Sequence, residues 1–230
     1  NHRVRRVASD GTIFTVVGSV SGFSGDGGPA FDAELDTPTD ALAAPDGGYW
    51  IADSGNHRVR RVAANGTITT VAGSVQGLSG DGGPGTSAQL NGPRELSQMA
   101  DGSLMIVDSG NHRVRRLAPD GTITTIAGSS QGAAGEGGPA TAAQLNTPTG
   151  AALAPDGAIL IADTGNNRIR RVAPNGTITT VAGGEAGFSG DGDPARLARF
   201  AAPADVAAIG PNGGYLVIDS QNNRVRRVTP

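Results

Sequence analysis

The 230-residue chain contains no cysteine and no lysine, and only 3% of it is aromatic. Without cysteine there is no disulfide, no thiolate metal centre and no thiol nucleophile. No window approaches the ~18 consecutive apolar residues of a membrane-spanning helix, and no charged-then-apolar leader opens the chain. The patterns G-x-S-x-G, H-E-x-x-H and S-x-x-K are missing too, which removes the common local signatures of serine hydrolases, zinc proteases and β-lactamases. The chain starts at Asn1 inside a repeated motif. We expect a segment of a longer protein, with any export signal or anchor lying outside it.

What is abundant is glycine, with 37 residues, alongside a heptapeptide that keeps returning. It reads NHRVRRV from Asn1 and again from Asn56, NHRVRRL from Asn111, NNRIRRV from Asn166 and NNRVRRV from Asn222. The starts lie 55, 55, 55 and 56 residues apart, so the chain divides into repeats 1–55, 56–110, 111–165 and 166–221 and a partial repeat 222–230. A steady period of this length means units that bury apolar surface against their neighbours. The cations cluster in the motif, because three of the 18 arginines fall in each copy, while the formal charge of the whole chain is -3.

Within a repeat, short runs of Ala, Val, Ile and Thr are separated by turns such as PDGG, DSGN and ANGT. Asn-Gly and Asp-Gly supply the positive backbone angles of tight hairpins. Each repeat therefore reads as four antiparallel strands, the pattern of a propeller blade. The strands do not alternate cleanly between apolar and polar residues, as expected when neighbours cover both faces. About twenty residues link one blade to the next, for example GSSQGAAGEGGPATAAQLNTP from Gly128, and within it Ala140, Ala143 and Leu145 fall on one side of a short helical turn.

The blade resembles the NHL repeat, named for Asn-His-Leu at its third strand, although here Arg follows the His. The longer elements GDGGPA, AQLNTP and DSGNHRVRRV are especially similar to the repeats of bacterial surface proteins and of teneurin-type propellers. The resemblance implies an all-β fold, a β-propeller of four-stranded antiparallel blades with about four blade equivalents. It leaves function open, because the family spans receptors, RNA binders, sensor domains and a lyase. The chain supplies four of each strand type except the third, of which there are five. That surplus favours a segment of a larger ring, completed by flanking sequence or by a second chain.

The arginines could mark a nucleic-acid stripe, but such sites combine cations with aromatic platforms or a basic domain. Here the sum is acidic, and an Asp lies three residues before every copy with upstream sequence. We therefore expect structural ion pairs Asp53–Arg58, Asp108–Arg113, Asp163–Arg168 and Asp219–Arg224, each a forked guanidinium–carboxylate contact. His2, His57 and His112 stand one repeat apart, and Asn167 and Asn223 replace them later, which suits a hydrogen-bonding role better than zinc. Asp26, Asp81, Glu136 and Asp191 of the SGDGGP-like stretches read as turn residues bound to nearby amides. Asp191 and Asp193 are the best calcium candidates, though one carboxylate per loop is thin for a hard cation. GDGGPG fits the dinucleotide fingerprint only in composition, since a parallel strand and a full helix are missing.

We expect the GDGGPA loops and DSGNH turns to share one face, and partners to bind there. Departures from the repeat add Arg94, Glu95 and Gln98 on a first strand, and Arg196, Arg199 and Phe200 on the last long loop. These six are the partner-binding candidates. The expected function is a non-catalytic binding or scaffold module for a protein or glycan ligand in a secreted or cell-surface protein. No catalytic residue, cofactor, nucleic acid or membrane segment is assigned. The alternatives are a propeller lyase or lactone hydrolase with an axial metal, and an RNA-binding domain.

Overall fold

The structure is a computed structural model that describes residues 1–210 and 212–229. Pro211, which opens the Pro-Asn-Gly expected as the turn after the last first strand, and Pro230, the end of the partial repeat, lie outside the described residues. Seventeen strands and no α-helix are found among the described residues. The chain opens with a two-stranded sheet of β1 (Val4–Val7) and β2 (Ile13–Val17). Three sheets of four strands follow. They are β3 (Pro38–Ala43), β4 (Tyr49–Asp53), β5 (Arg58–Val62) and β6 (Ile68–Ala72); β7 (Pro93–Gln98), β8 (Leu104–Asp108), β9 (Arg113–Leu117) and β10 (Ile123–Ala127); and β11 (Gly150–Leu153), β12 (Ile159–Asp163), β13 (Arg168–Val172) and β14 (Ile178–Gly183). The last sheet has β15 (Pro203–Ile209), β16 (Gly214–Asp219) and β17 (Arg224–Val228).

Strands within a sheet are spatial neighbours in chain order, and the pairings shown are antiparallel. The hairpin chemistry follows the sequence. In the turn after β5, Asn65 Oδ1 accepts the Thr67 N–H at 3.0 Å, while Gly66 takes φ +85° and donates to Ala63 O at 2.9 Å. The turn between second and third strands is a single 3-10 turn such as Ser54–Asn56, closed by His57 at φ 55°. β-branched residues avoid that left-handed region, whereas Asn and His tolerate it.

Two compact units are distinguished, Asn1–Leu96 with Gly102–Leu104 and Leu117–Thr124, and Ser97–Asp101 with Met105–Arg116 and Thr125–Pro230. In the first, Val17, Ala30, Ala33, Leu35, Ile51, Val62 and Ile68 form a buried cluster. In the second, one cluster joins Met105, Val107 and Val114 to Leu145, Ile161 and Ile178, and another gathers Leu160, Ile169, Phe200, Val206 and Val217. β8 and β12 are buried along their whole length, as a strand covered on both faces must be. β3, by contrast, alternates between half-buried and exposed residues.

The long connections correct the sequence reading. Instead of staying on one face, each of the first three runs along the outer edge of the following blade and returns. Gly27 N–H donates to Ile68 O at 2.8 Å, Ile68 N–H to Gly28 O at 3.0 Å, and Ala30 N–H to Gly66 O at 2.9 Å, at the compact hairpin on the other side. The same three bonds recur as Gly82–Ile123, Ile123–Gly83 and Gly85–Gly121, and as Gly137–Ile178, Ile178–Gly138 and Ala140–Gly176. The chain then turns through one 3-10 turn, such as Ala140–Ala142, and returns with Ala143 and Leu145 fully buried. The physical reason is the fourth strand's free edge, whose unpaired amides and carbonyls the preceding connection covers.

Candidate functional site: arginine clamps and the connecting-segment rim

The three arginines of a copy have three different environments. The middle one is fully buried in Arg60, Arg115 and Arg170 and nearly so in Arg226. Arg60 donates Nη1 to Glu34 O at 2.8 Å and Nη2 to Ser24 O at 2.9 Å and Asp26 Oδ1 at 2.7 Å, and its Nη1 lies 3.9 Å from Asp53 Oδ2. Arg226 repeats this with Arg199 O, Ser189 O, Asp191 and Asp219. In both cases a third-strand arginine clamps the connection that arrives from the previous repeat. Arg115 stands 3.7 Å from Asp108, and Arg170 lies 3.4 Å from Glu136 and 3.9 Å from Asp163.

The buried acid is held on several sides. Asp53 accepts the Asp36 N–H at 2.7 Å and the Asn56 side-chain amide at 2.9 Å. Burial nevertheless pushes its carboxyl above the ordinary range, against the opposing pull of Asn56, the Asp36 amide and Arg60. Arg170 is lowered by burial first and by Arg168 second. Both directions express the desolvation cost of a buried pair.

The first arginine was expected to hold the Asp. Asp53 and Arg58 are indeed cross-strand partners in register, as are Asp163 and Arg168, and Asp219 and Arg224. The side chains then diverge. Arg168 Nε donates to Asp163 Oδ2 at 2.8 Å, whereas Arg58 lies 3.9 Å above the Phe23 ring and donates to the Ser74 carbonyl. Arg113 donates to Ser129 O at 2.5 Å, and Arg224 lies 3.9 Å above Phe188. The difference follows the connecting segment. Where it offers a phenylalanine, the guanidinium covers the ring; where it offers Ala133, the guanidinium turns inward to the acid. The third arginine pairs across the hairpin that joins first and second strands, Arg61 with Asp46 and Arg116 with Asp101 at 2.5 Å each, and Arg171 with Asp156.

Asp26, Glu136 and Asp191 of the GDGGP-like stretches bind residues far along the chain. Asp26 accepts from Thr70 Oγ1 at 2.6 Å as well as from Arg60, and Glu136 accepts the Thr180 N–H at 2.9 Å and its hydroxyl at 2.8 Å. Burial raises Glu136, but the Thr180 bonds, Arg170 and Arg196 together hold it below the usual carboxylate range. Of the calcium candidates, Asp191 Oδ1 faces Arg226 at 2.6 and 3.0 Å, so a guanidinium already occupies the charge a cation would need. Asp193 is exposed beside it.

Each histidine ring binds backbone. His57 Nδ1 accepts the Gly92 N–H at 3.1 Å, His112 Nδ1 the Thr147 N–H at 3.0 Å and His2 Nδ1 the Thr37 N–H at 3.2 Å. Asn167 Oδ1 does the same for Ala202 N–H at 2.9 Å. Burial holds His57 and His112 below the ordinary imidazole value, against Asp36 and Asp163 respectively.

The partner candidates separate. Arg94 is exposed and Glu95 and Gln98 are half-buried on β7. Arg196 and Arg199 are exposed, 3.8 Å from Glu136 and 2.7 Å from Glu185. Phe200 is corrected: it is only 1% exposed. It takes the repeat position of Leu35, Leu90 and Leu145, one period apart, and packs with Ile169 and Val206.

Four-stranded antiparallel blades strung at a constant interval define a β-propeller module. A model of the NHL repeat matches residues 145–172, from the end of a connection to the end of a third strand. Teneurin-1 of Mus musculus is 30% identical over 89% of this chain, and Teneurin-4 of the same species 31% over 88%. The chain spans 8% of the length of each. A catalytically inactive virginiamycin B lyase from Staphylococcus aureus, solved with quinupristin, superposes with a TM-score of 0.62 at 18% identity, over 99% of this chain and 60% of that one. A structural genomics protein of unknown function from Bacteroides thetaiotaomicron gives 0.67 at 22%, over 96% and 51%. The chain belongs to the NHL-repeat β-propellers.

Proposed function

We propose that this NHL propeller is a recognition module for a protein or glycan ligand within a secreted or surface-exposed protein, not a catalyst. One observation carries the reading. The middle arginines Arg60, Arg115, Arg170 and Arg226 are buried against acids or carbonyls of the fold, whereas the residues that change from repeat to repeat are exposed on the connecting segments. Position 20 and its equivalents read Val20, Val75, Ser130 and Glu185, and position 23 reads Phe23, Leu78, Ala133 and Phe188. Variable side chains on loops of a rigid scaffold are the usual substrate of binding. Chemistry asks for unlike residues converging in distinct roles, and the recurring groups are near-copies of one another.

The test is a glycan array and a panel of purified extracellular proteins probed with the folded chain. Saturable binding that weakens in Arg94→Ala or in Arg196→Ala with Arg199→Ala supports the reading. Stoichiometric bound zinc or calcium in purified protein, together with lyase or lactonase turnover, would replace it with an enzymatic one.

A further inference from the structure

The first two connecting segments expose apolar side chains that the fold does not require. Val20 is 56% exposed, Phe23 41%, Val75 57% and Leu78 46%. One period later the same positions hold Ser130 and Ala133. The backbone is indifferent to the exchange: Gly22 N–H donates to Leu35 O at 3.2 Å, Gly77 N–H to Leu90 O at 3.1 Å and Gly132 N–H to Leu145 O at 3.0 Å. Val75 and Leu78 follow a complete four-stranded sheet, so their exposure is a property of the segment itself.

Arg58 links the two segments. The Phe23 ring lies under Arg58, the guanidinium of Arg58 reaches the carbonyl of Ser74, and Val75 is the next residue. Arg58 covers the ring, Arg60 lies 5.1 Å from its centroid, and Phe23 still keeps 41% of its surface exposed. A second departure from the repeat falls at the same place. Glu34 and Asp36 stand where later segments have the neutral amides Gln89 and Asn91, or Gln144 and Asn146. The Glu34 carboxylate lies against Gly22, since a Cβ on that glycine would be 2.5 Å from its Oε2. Asp36 accepts the Thr37 hydroxyl at 3.0 Å and faces His2 at 3.3 Å, with its side chain 36% exposed. The neighbouring arginines, Arg3 and Arg58, donate to the Ser19 and Ser74 carbonyls.

We propose that Val20, Phe23, Val75 and Leu78, with Glu34 and Asp36 beside them, form a docking surface for a protein segment that presents an aliphatic or aromatic side chain next to a lysine or arginine. An exposed apolar patch with a charged rim marks an interaction site, and paired carboxylates select a cationic partner and suppress an acidic one. This rests on the recognition reading above and names its surface and its partner.

The experiment selects random linear peptides displayed on phage against the folded chain, then measures synthetic copies of the enriched peptides by calorimetry. Two variants serve as probes. Val20→Ser, Phe23→Ala, Val75→Ser and Leu78→Ala together give the first two segments the residues of the third, and Glu34→Gln with Asp36→Asn gives the first segment the amides of its sisters. Both are expected to melt close to the parent, because the sister repeats fold with those residues. Enriched peptides that pair Lys or Arg with an apolar residue, and that lose about tenfold or more in affinity, some 1.4 kcal/mol, in each variant support the proposal. Enriched peptides that bind both variants as well as the parent overturn this surface while leaving recognition standing. No enriched peptide, together with no ligand on the glycan array or the protein panel, overturns both.

Discussion

Replacing Arg60 by leucine is expected to destabilise the chain far more than the same change at Arg58, two residues earlier on the same strand. Arg60 is fully buried and supplies donors to Glu34 O, Ser24 O and Asp26 while facing Asp53. Its loss strands a fully buried carboxylate and releases two carbonyls of the connection that it clamps. Removing one partner of such a pair costs ~3–5 kcal/mol. The Asp26 contact adds little, because that carboxylate is 37% exposed and screened. At roughly 2–4 °C per kcal/mol for a chain of this size, the melting temperature should fall by about 6–20 °C. Arg58 loses a partly exposed stacking contact worth ~0.5–1 kcal/mol and hydrogen bonds to loop carbonyls worth ~1 kcal/mol, which corresponds to a few degrees. Adding Asp53→Asn to Arg60→Leu should recover part of the loss, because the stranded charge is removed. Circular dichroism melts of the four proteins in one buffer decide it. An Arg58 variant as damaged as the Arg60 variant would refute the reasoning.

Acid should loosen the histidine clasps. His57 and His112 are held below the ordinary imidazole value, so the unfolded chain takes up protons first as pH falls; the stability they contribute is complete above about pH 6.5 and is lost as pH drops through their folded values. Melting temperature followed across that window should decline in the parent and decline less in His57→Asn with His112→Asn, which copies Asn167. Gly80→Ala should cost more than Gly82→Ala. Both glycines have φ above +80°, but a Cβ at Gly80 would meet Ala88 Cα at 2.6 Å while one at Gly82 meets open space. A left-handed L-residue costs ~1–2 kcal/mol by itself, so equal urea midpoints for the two variants would contradict the close packing of the connection.

The sequence carried the blade because its signals are local. Asn-Gly and Asp-Gly turns, the 55-residue period and the Asp that ends each second strand all act within a few residues of their partners. The path of the connection was hidden, since GDGGPA pairs with a strand about forty residues downstream, as Gly27 does with Ile68, and nothing in its composition says so. The choice of arginine was hidden for the same reason. Arg58 is the nearest cross-strand neighbour of Asp53, but the carbonyls that draw Arg60 inward belong to Ser24 and Glu34 of the preceding repeat. Phe200 was misplaced although a signal existed: stepping back by one period reaches Leu145, Leu90 and Leu35, all fully buried.

The claim that the buried middle arginines are interior clamps, and that the binding surface lies elsewhere, has a direct chemical test. Phenylglyoxal modification of the folded chain, read residue by residue by mass spectrometry, compares guanidinium accessibility in one experiment. Rapid labelling of Arg94, Arg196 and Arg199, with Arg60, Arg115 and Arg170 protected until the chain unfolds, is the predicted result. Labelling of Arg60 in the folded chain at the rate of Arg94 would contradict the account.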